Sequence, residues 1–246
     1  MKTVFLLTFI LIIPFLIFSQ ETKKKADSTA NNRIYIDVSG GPSFPMIYYA
    51  RIDTKNTTSG FAAQGYVAQV NLDWMGKKNT GLAIQYTLQN NPINHSVKND
   101  TLEGMSKPLG SGSWTNNYLM AGLVYMDFIK KVYIEGRVLF GVILSSSPLF
   151  ITIDPVYKTQ SSNTGVGIAY GAQFGVGYNI SNRISVKGNF EFTLGNPSIH
   201  RQYSAGVIGV DSTTGRFIYS APIDINTKKT IYSFNAKAGL VIKLSK

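Results

Sequence analysis

The sequence predicts an all-β protein, an eight-stranded antiparallel up-and-down β-barrel that crosses a membrane and is preceded by a cleaved signal peptide. Three observations predict it: long stretches that alternate apolar and polar residues, connections that alternate short and long, and an apolar parity without charge. The clearest alternation runs from Gly165 to Ile180. Val166, Ile168, Tyr170, Ala172, Phe174, Val176, Tyr178 and Ile180 hold one parity, and Gly, Ala, Gln and Asn hold the other. Strand side chains point to opposite faces with period two, so one face is apolar and the other small and polar. A sandwich strand typically has about 5–6 residues, whereas a tilted strand crossing a bilayer needs about 9–11. This run is long enough to cross.

The N-terminus predicts export. Lys2 precedes an apolar stretch, Val4 to Phe18, broken only by Thr8 and Pro14, and small Ser19 precedes Gln20 and the polar segment Glu21 to Asn32. This is the pattern of a signal peptide cleaved after Ser19. An uncleaved anchor would need an apolar run of about 20 residues. The reading is therefore a signal peptide at 1–19, a short periplasmic polar segment at 20–32, and a transmembrane barrel at 33–246. With no cysteine in the chain, lipid attachment through cysteine, disulfides and thiolate metal sites are excluded.

By parity, the strands fall at about 33–41, 61–75, 80–90, 116–128, 131–145, 164–180, 182–195 and 229–244. Short turns lie at 76–79, around Lys130 and at 181–182, and long loops at 42–60, 91–115, 146–163 and 196–228. Outer-membrane barrels have short periplasmic turns, long external loops and an even strand number. Both barrel ends then fall on the periplasmic side. Proline lacks the ladder donor, and outside the signal peptide Pro42, Pro45, Pro92, Pro108, Pro148, Pro155, Pro197 and Pro222 all fall in these loops. So do His95 and His200.

The apolar parity includes Ile34, Val38, Val70, Leu72, Ile84, Val138, Phe140, Val186, Phe190 and Leu240. A Lys or Arg there, at mid-bilayer, would cost about 2–4 kcal/mol. Trp74, Phe128 and Tyr178 are expected to form a periplasmic aromatic belt, and Tyr86, Tyr118, Tyr232 and Phe234 an outer one. In the fourth strand Leu119, Leu123 and Tyr125 make both faces apolar. The opposite parity takes Asp37, Asp73, Asp127, Glu135, Arg137, Lys187, Glu191 and Lys237. Eight strands enclose just enough room for side chains, and buried charges must be paired. Lys237 is expected to reach Asp37 or Glu191, with Glu135 and Arg137 on the same inner face. The favoured reading is an ionic plug holding the barrel together; the alternative is a proton or ion relay.

A formal charge of +11 would raise nucleic acid as a partner, but the basic residues are scattered and no nucleic-acid motif accompanies them. Outer-membrane lipid is the partner this composition suits, a basic exterior lying against a leaflet rich in phosphorylated lipid. No G-x-S-x-G elbow, P-loop, H-E-x-x-H or EF-hand loop is present. The glycines of 165–177 share one strand face with no helix after them, so they read as room for bulky neighbours rather than as a dinucleotide fingerprint. His95 beside Ser96, or His200, could imitate a catalytic pair. A third residue to orient the base is missing, so no catalytic, cofactor-binding or metal-binding residue is assigned, and no cofactor.

The whole chain after residue 19 resembles the small outer-membrane β-barrel proteins of the OmpX/OmpA-transmembrane-domain type. The Ser19-Gln20 junction and Tyr/Asn/Lys-rich strands look most similar to Bacteroidota porin-family proteins carrying an outer membrane protein beta-barrel domain, PorT-like members included. The ending Leu240-Val-Ile-Lys-Leu-Ser-Lys246 departs from the terminal Phe common in such barrels. The resemblance implies a bacterial outer-membrane location. The expected function is non-enzymatic, through binding by the loops or support of an envelope complex, with envelope proteins as partners. A lipid-modifying enzyme and a narrow passive pore are the alternatives.

Overall fold

Val, Ile, Leu, Phe and Tyr recur on alternate positions, as a half-buried pleated strand requires, and eight long strands result in a computed structural model of the chain. The structure describes residues 33–51, 60–76, 79–94, 108–152, 160–203, 207–211, 213–219 and 223–244. The expected signal peptide and polar segment lie outside them. The barrel strands are β1 (Arg33–Met46), β2 (Gly65–Met75), β3 (Thr80–Pro92), β4 (Ser113–Ile129), β5 (Val132–Ser146), β6 (Gln160–Asn179), β7 (Ile184–Tyr203) and β8 (Ile231–Lys243). Each pairs antiparallel with the next, and β8 pairs with β1, so the sheet closes. Closure leaves no unpaired edge, the condition for strands in hydrocarbon. Among the described residues no helix is long and apolar enough to cross a membrane; the strands cross it.

The ends of β1 and β8 meet at the pair Tyr35–Lys243, on the side of the short turns. Lys130 (φ 58°) and Asn79 (φ 59°) take left-handed backbone in two of those turns, as tight hairpins require. At the other side the chain rises past the barrel wall. Ile223–Lys228 pairs with β7, which pairs with β6 on its other side, making a three-stranded tongue. Two small sheets accompany it, Pro108–Ser111 with Leu149–Thr152 and Val207–Val210 with Phe217–Tyr219.

These extensions correct the expectation that proline stays in loops. Pro42 and Pro45 lie in β1, Pro92 ends β3, Pro108 is in a short strand, and Pro197 and His200 lie in β7; Pro155 and Pro222 are outside the described residues. The ladders yield where proline cannot donate. The β1–β8 pairing passes from Gly40–Ala238 to Ser43–Asn235 without a pair at Pro42. Pro197 accepts from Lys229 N at 3.0 Å, and a strand residue's N–H and C=O point the same way. Its missing donor therefore faces the interruption between Lys228 and Ile231. The expected start of the second strand at 61 is also corrected. Phe61 has φ 55°, and Ala62 makes only an isolated bridge to Ile93, so the strand begins at Gly65.

The middle of the outward face is apolar, with Val38, Val70, Leu72, Ile84, Val138, Phe140, Val176, Phe190 and Leu240 all exposed. The fourth strand faces opposite to expectation. Leu123 is 66% exposed, whereas Tyr118 is 0% exposed and Met120, Val124 and Met126 are buried. The reason lies across the sheet: Val124 pairs with Arg137 and Met126 with Glu135. Paired residues share a face, and those charges point inward. Tyr118 therefore leaves the outer belt for the interior. Phe128 turns in against Tyr133, ring centroids 5.4 Å apart. Asp127 leaves the interior for the outward face at the rim, where it accepts from Asn79 Nδ2 at 3.3 Å and Phe128 N at 3.0 Å. It is the one Asp, Glu, Lys or Arg on the outward parity of the described barrel strands. Trp74, Tyr178, Tyr86, Tyr232 and Phe234 keep outward positions, and Phe192 packs on Phe234 at 4.9 Å.

Candidate functional site

Bulky inward side chains need a thin wall opposite them, and β6 supplies it. A Cβ on Gly177 would lie 2.1 Å from Tyr133 Cζ, and one on Gly175 would lie 2.9 Å from Glu135 Cγ. With no side chain on β6 at these positions, the space goes to Tyr133, Glu135 and their neighbours. The glycine row makes room for the charges.

Asp37, Glu135, Arg137, Lys187, Glu191 and Lys237 all point inward with buried side chains, and Asp73 joins them. They form two groups. In the lower, Arg137 Nη2 lies 2.8 Å from Asp73 Oδ2, 3.3 Å from Glu135 Oε2 and 3.6 Å from Asp37 Oδ2. Lys187 Nζ is 2.7 Å from Glu135 Oε1 and also meets Asp37 Oδ2. Asn71 Nδ2 donates to Asp37 Oδ2 at 2.5 Å. In the upper group Lys237 Nζ lies 2.6 Å from Glu191 Oε2. Of the two expected partners of Lys237 the structure joins Glu191 to it, while Asp37 pairs with Lys187 and Arg137.

Amides that sequence reasoning did not single out link the groups. Gln173 Nε2 donates to Glu135 Oε1 at 2.9 Å, Gln69 Nε2 to Gln173 Oε1 at 3.1 Å, and Gln85 Nε2 to Glu191 Oε1 at 2.5 Å. Lys237 also donates to Gln69. Their position on the polar strand parity was the signal that could have found them. Four carboxylates meet three cations here, so Asp73, whose only ion-pair partner among the described residues is the shared Arg137, carries the excess. Asp37 Oδ1, Asp73 Oδ1 and Arg137 Nε and Nη1 find no protein partner.

Above the charges the interior closes. Tyr49, 1% exposed, enters the mouth from the chain after β1. Its hydroxyl donates to Asn91 Oδ1 at 3.2 Å and accepts from Asn116 Nδ2 at 3.0 Å. Trp114 meets it edge-on at 5.7 Å and donates from Nε1 to Gly60 O at 2.7 Å. A Cβ on Gly60 would lie 2.4 Å from Tyr49 O, so only glycine lets the returning chain cross Tyr49. No sequence pattern marks this tuck, because Tyr49 lies in a stretch without alternation.

His200 is exposed on the outer end of β7, its Nδ1 3.0 Å from Asn226 Oδ1. His95 and Ser96 lie outside the described residues. Among the described residues no cluster of His, Cys, Asp or Glu could hold a metal ion. The lumen arrangement sets each of its three cations against at least one carboxylate.

A closed barrel of eight strands, apolar outside, with short turns at one end and long connections at the other, is a transmembrane β-barrel of the bacterial outer membrane. No protein-family model matches the chain, and no curated protein matches it. Among solved structures it is similar to Neisserial surface protein A (12% identity, 86% of this chain and 97% of that one, TM-score 0.49). It is also similar to a major outer membrane protein from Thermus thermophilus (10% identity, 87% and 100%, TM-score 0.49). A third is the outer membrane protease OmpT from Escherichia coli (11% identity, 88% and 99%, TM-score 0.44).

Proposed function

We propose that this barrel is a non-enzymatic outer-membrane protein that works through its outward surface, binding an envelope or surface partner with the chain that rises past the wall. The observation carrying this reading is the contrast between the two compartments. The lumen is filled with paired charges, amides and the Tyr49–Trp114 closure. Meanwhile β6 and β7 run to 20 residues each and, with Ile223–Lys228, form a tongue, where about 9–11 residues suffice to cross a bilayer. Extended strands present backbone and alternating side chains to a partner, the usual materials of recognition by strand addition or loop contact. The filled lumen disfavours the narrow passive pore. Affiliation with the Bacteroidota porin-family barrels is part of the same proposal, supported by the Ser19-Gln20 junction and the Tyr/Asn/Lys-rich strands.

The test is crosslinking on intact cells with the native barrel and with a variant whose 207–219 hairpin is replaced by a two-residue turn. The expected result is a defined set of envelope proteins crosslinked by the native protein and lost in the variant, with both barrels equally folded. Equal crosslinking by both, or a lipid acyl-chain change that depends on His95 or His200, would overturn the reading.

A further inference from the structure

Cations outnumber carboxylates among the described residues of the periplasmic rim. At the periplasmic end Lys130, Lys131 and Arg183 are exposed and Lys243 is half-exposed, whereas the one carboxylate described there is Asp127, half-buried and engaged by Asn79 and a backbone N–H. Backbone hydrogen bonds join their segments. Asn179 N donates to Lys131 O at 2.7 Å, and Lys243 N donates to Arg183 O at 2.8 Å. Lys130, Lys131 and Arg183 therefore follow one continuous arc of the rim, from the β4–β5 turn to the β6–β7 turn, while Lys243 takes the inward parity opposite buried Tyr35. Arg33 stands apart from it, with its guanidinium 5.4 Å from the Phe128 ring centroid on the barrel floor.

Outward apolar residues flank each cation of the arc. Ile129 and Val132 bracket Lys130 and Lys131, and Ile180 and Ile184 bracket Arg183; all four are exposed. An aliphatic residue that faces hydrocarbon fixes the height of its neighbour, so these ammonium and guanidinium groups stand where the acyl chains end and the phosphates begin. Long basic side chains reach that boundary by extending along it.

We infer that this arc is a binding surface for anionic phospholipid head groups of the periplasmic leaflet. The shape favours lipid over an acidic protein, because the arc spans several strands at one height and its cations alternate with residues immersed in the bilayer. Negative head groups attract such cations to an extent that sums over the basic residues near the surface and is screened by salt.

The experiment uses the full barrel, folded in detergent and exchanged into vesicles of mixed phosphatidylglycerol and phosphatidylethanolamine. The lipids that remain with the protein after gentle extraction are counted by native mass spectrometry. The wild type should retain phosphatidylglycerol above its bulk fraction. The triple variant Lys130→Gln, Lys131→Gln, Arg183→Gln should lose that enrichment, with intermediate losses of about threefold to fivefold for each cation removed. Glutamine at these exposed sites leaves the barrel core untouched, and an unchanged heat-dependent gel shift certifies the fold. A compensating variant, Lys130→Arg with Lys131→Arg, should keep the enrichment. Equal retention of both lipids by the wild type, or enrichment that survives the triple variant, would overturn the inference.

Discussion

Lys237 Nζ lies 2.6 Å from Glu191 Oε2, although the two are not direct partners in the sheet: Lys237 stands opposite Asn189 and Glu191 opposite Asn235. The pair is diagonal, its reach made by the long side chains, and it ties β8 to β7 near the seam where β8 closes on β1. Replacing one member of a buried pair strands the other's charge, at about 3–5 kcal/mol. Lys237→Met and Glu191→Leu should each lower the temperature of heat unfolding, followed by far-UV circular dichroism in detergent. Membrane insertion should continue. The double replacement should recover much of the loss, since apolar substitution of a whole buried pair is often neutral.

The excess of carboxylate over cation in the lower group makes Asp73 and Arg137 unequal. Asp73→Asn removes a charge that shares its only cation with two other carboxylates, whereas Arg137→Met strips that cation from all three. Thermal unfolding should show a small effect for Asp73→Asn, of about 1 kcal/mol or less, and a loss of about 3–5 kcal/mol or more for Arg137→Met. A larger loss for Asp73→Asn than for Arg137→Met would refute this ranking.

The glycine wall is equally open to test. A methyl group at Gly177 would enter the space of the Tyr133 ring, and overpacking of this kind typically costs about 1–3 kcal/mol. Gly177→Ala should therefore destabilise the barrel. Adding Tyr133→Phe should not restore it, because Cζ and Cε1 clash as well as the hydroxyl, whereas adding Tyr133→Leu should.

Topology and chemistry can be tested in cells. Protease added outside should cut near Asn56, Asp100, Asp154 or Asp211 and spare the turns near Lys78, Lys130 and Asn182. Replacing His95, Ser96 and His200 with Ala should leave the acyl composition of the outer membrane unchanged by lipid mass spectrometry. Cuts in the short turns would reverse the orientation, and a composition change would make the barrel an enzyme.

The alternation around Gly165–Ile180 made most of the wall legible, since lipid outside and a packed lumen inside sort residues by parity alone. β4 escaped that sorting because Tyr118, Met120, Val124 and Met126 make its inner face as apolar as its outer one. The information was nonetheless present: the Lys130-Lys131 turn pairs Ile129 with Val132, which sets every partner of β4 against a strand whose charges fix its face. Gln69, Gln85 and Gln173 were visible as inward positions, but their links depend on distances across the lumen that parity does not contain. Tyr49 was not legible, since its burial arises from a chain reversal through left-handed Ile47 and Phe61, residues that seldom signal one. The prolines misled for a related reason. They mark missing donors, and here the strands continue past them.

A closed barrel has lipid on one face of every strand and a filled lumen on the other, and β4, apolar on both faces, is the strictest place to look for that division. The cysteine-free chain allows single nitroxide labels at each position from 117 to 126, measured by electron paramagnetic resonance in vesicles with oxygen and with a water-soluble nickel chelate as relaxers. Labels at 119, 121, 123 and 125 should be reached by oxygen, and those at 118, 120, 124 and 126 by neither relaxer. Oxygen access at the even positions instead of the odd ones would reverse the strand's faces, and nickel access along the even positions would mean an open, water-filled lumen.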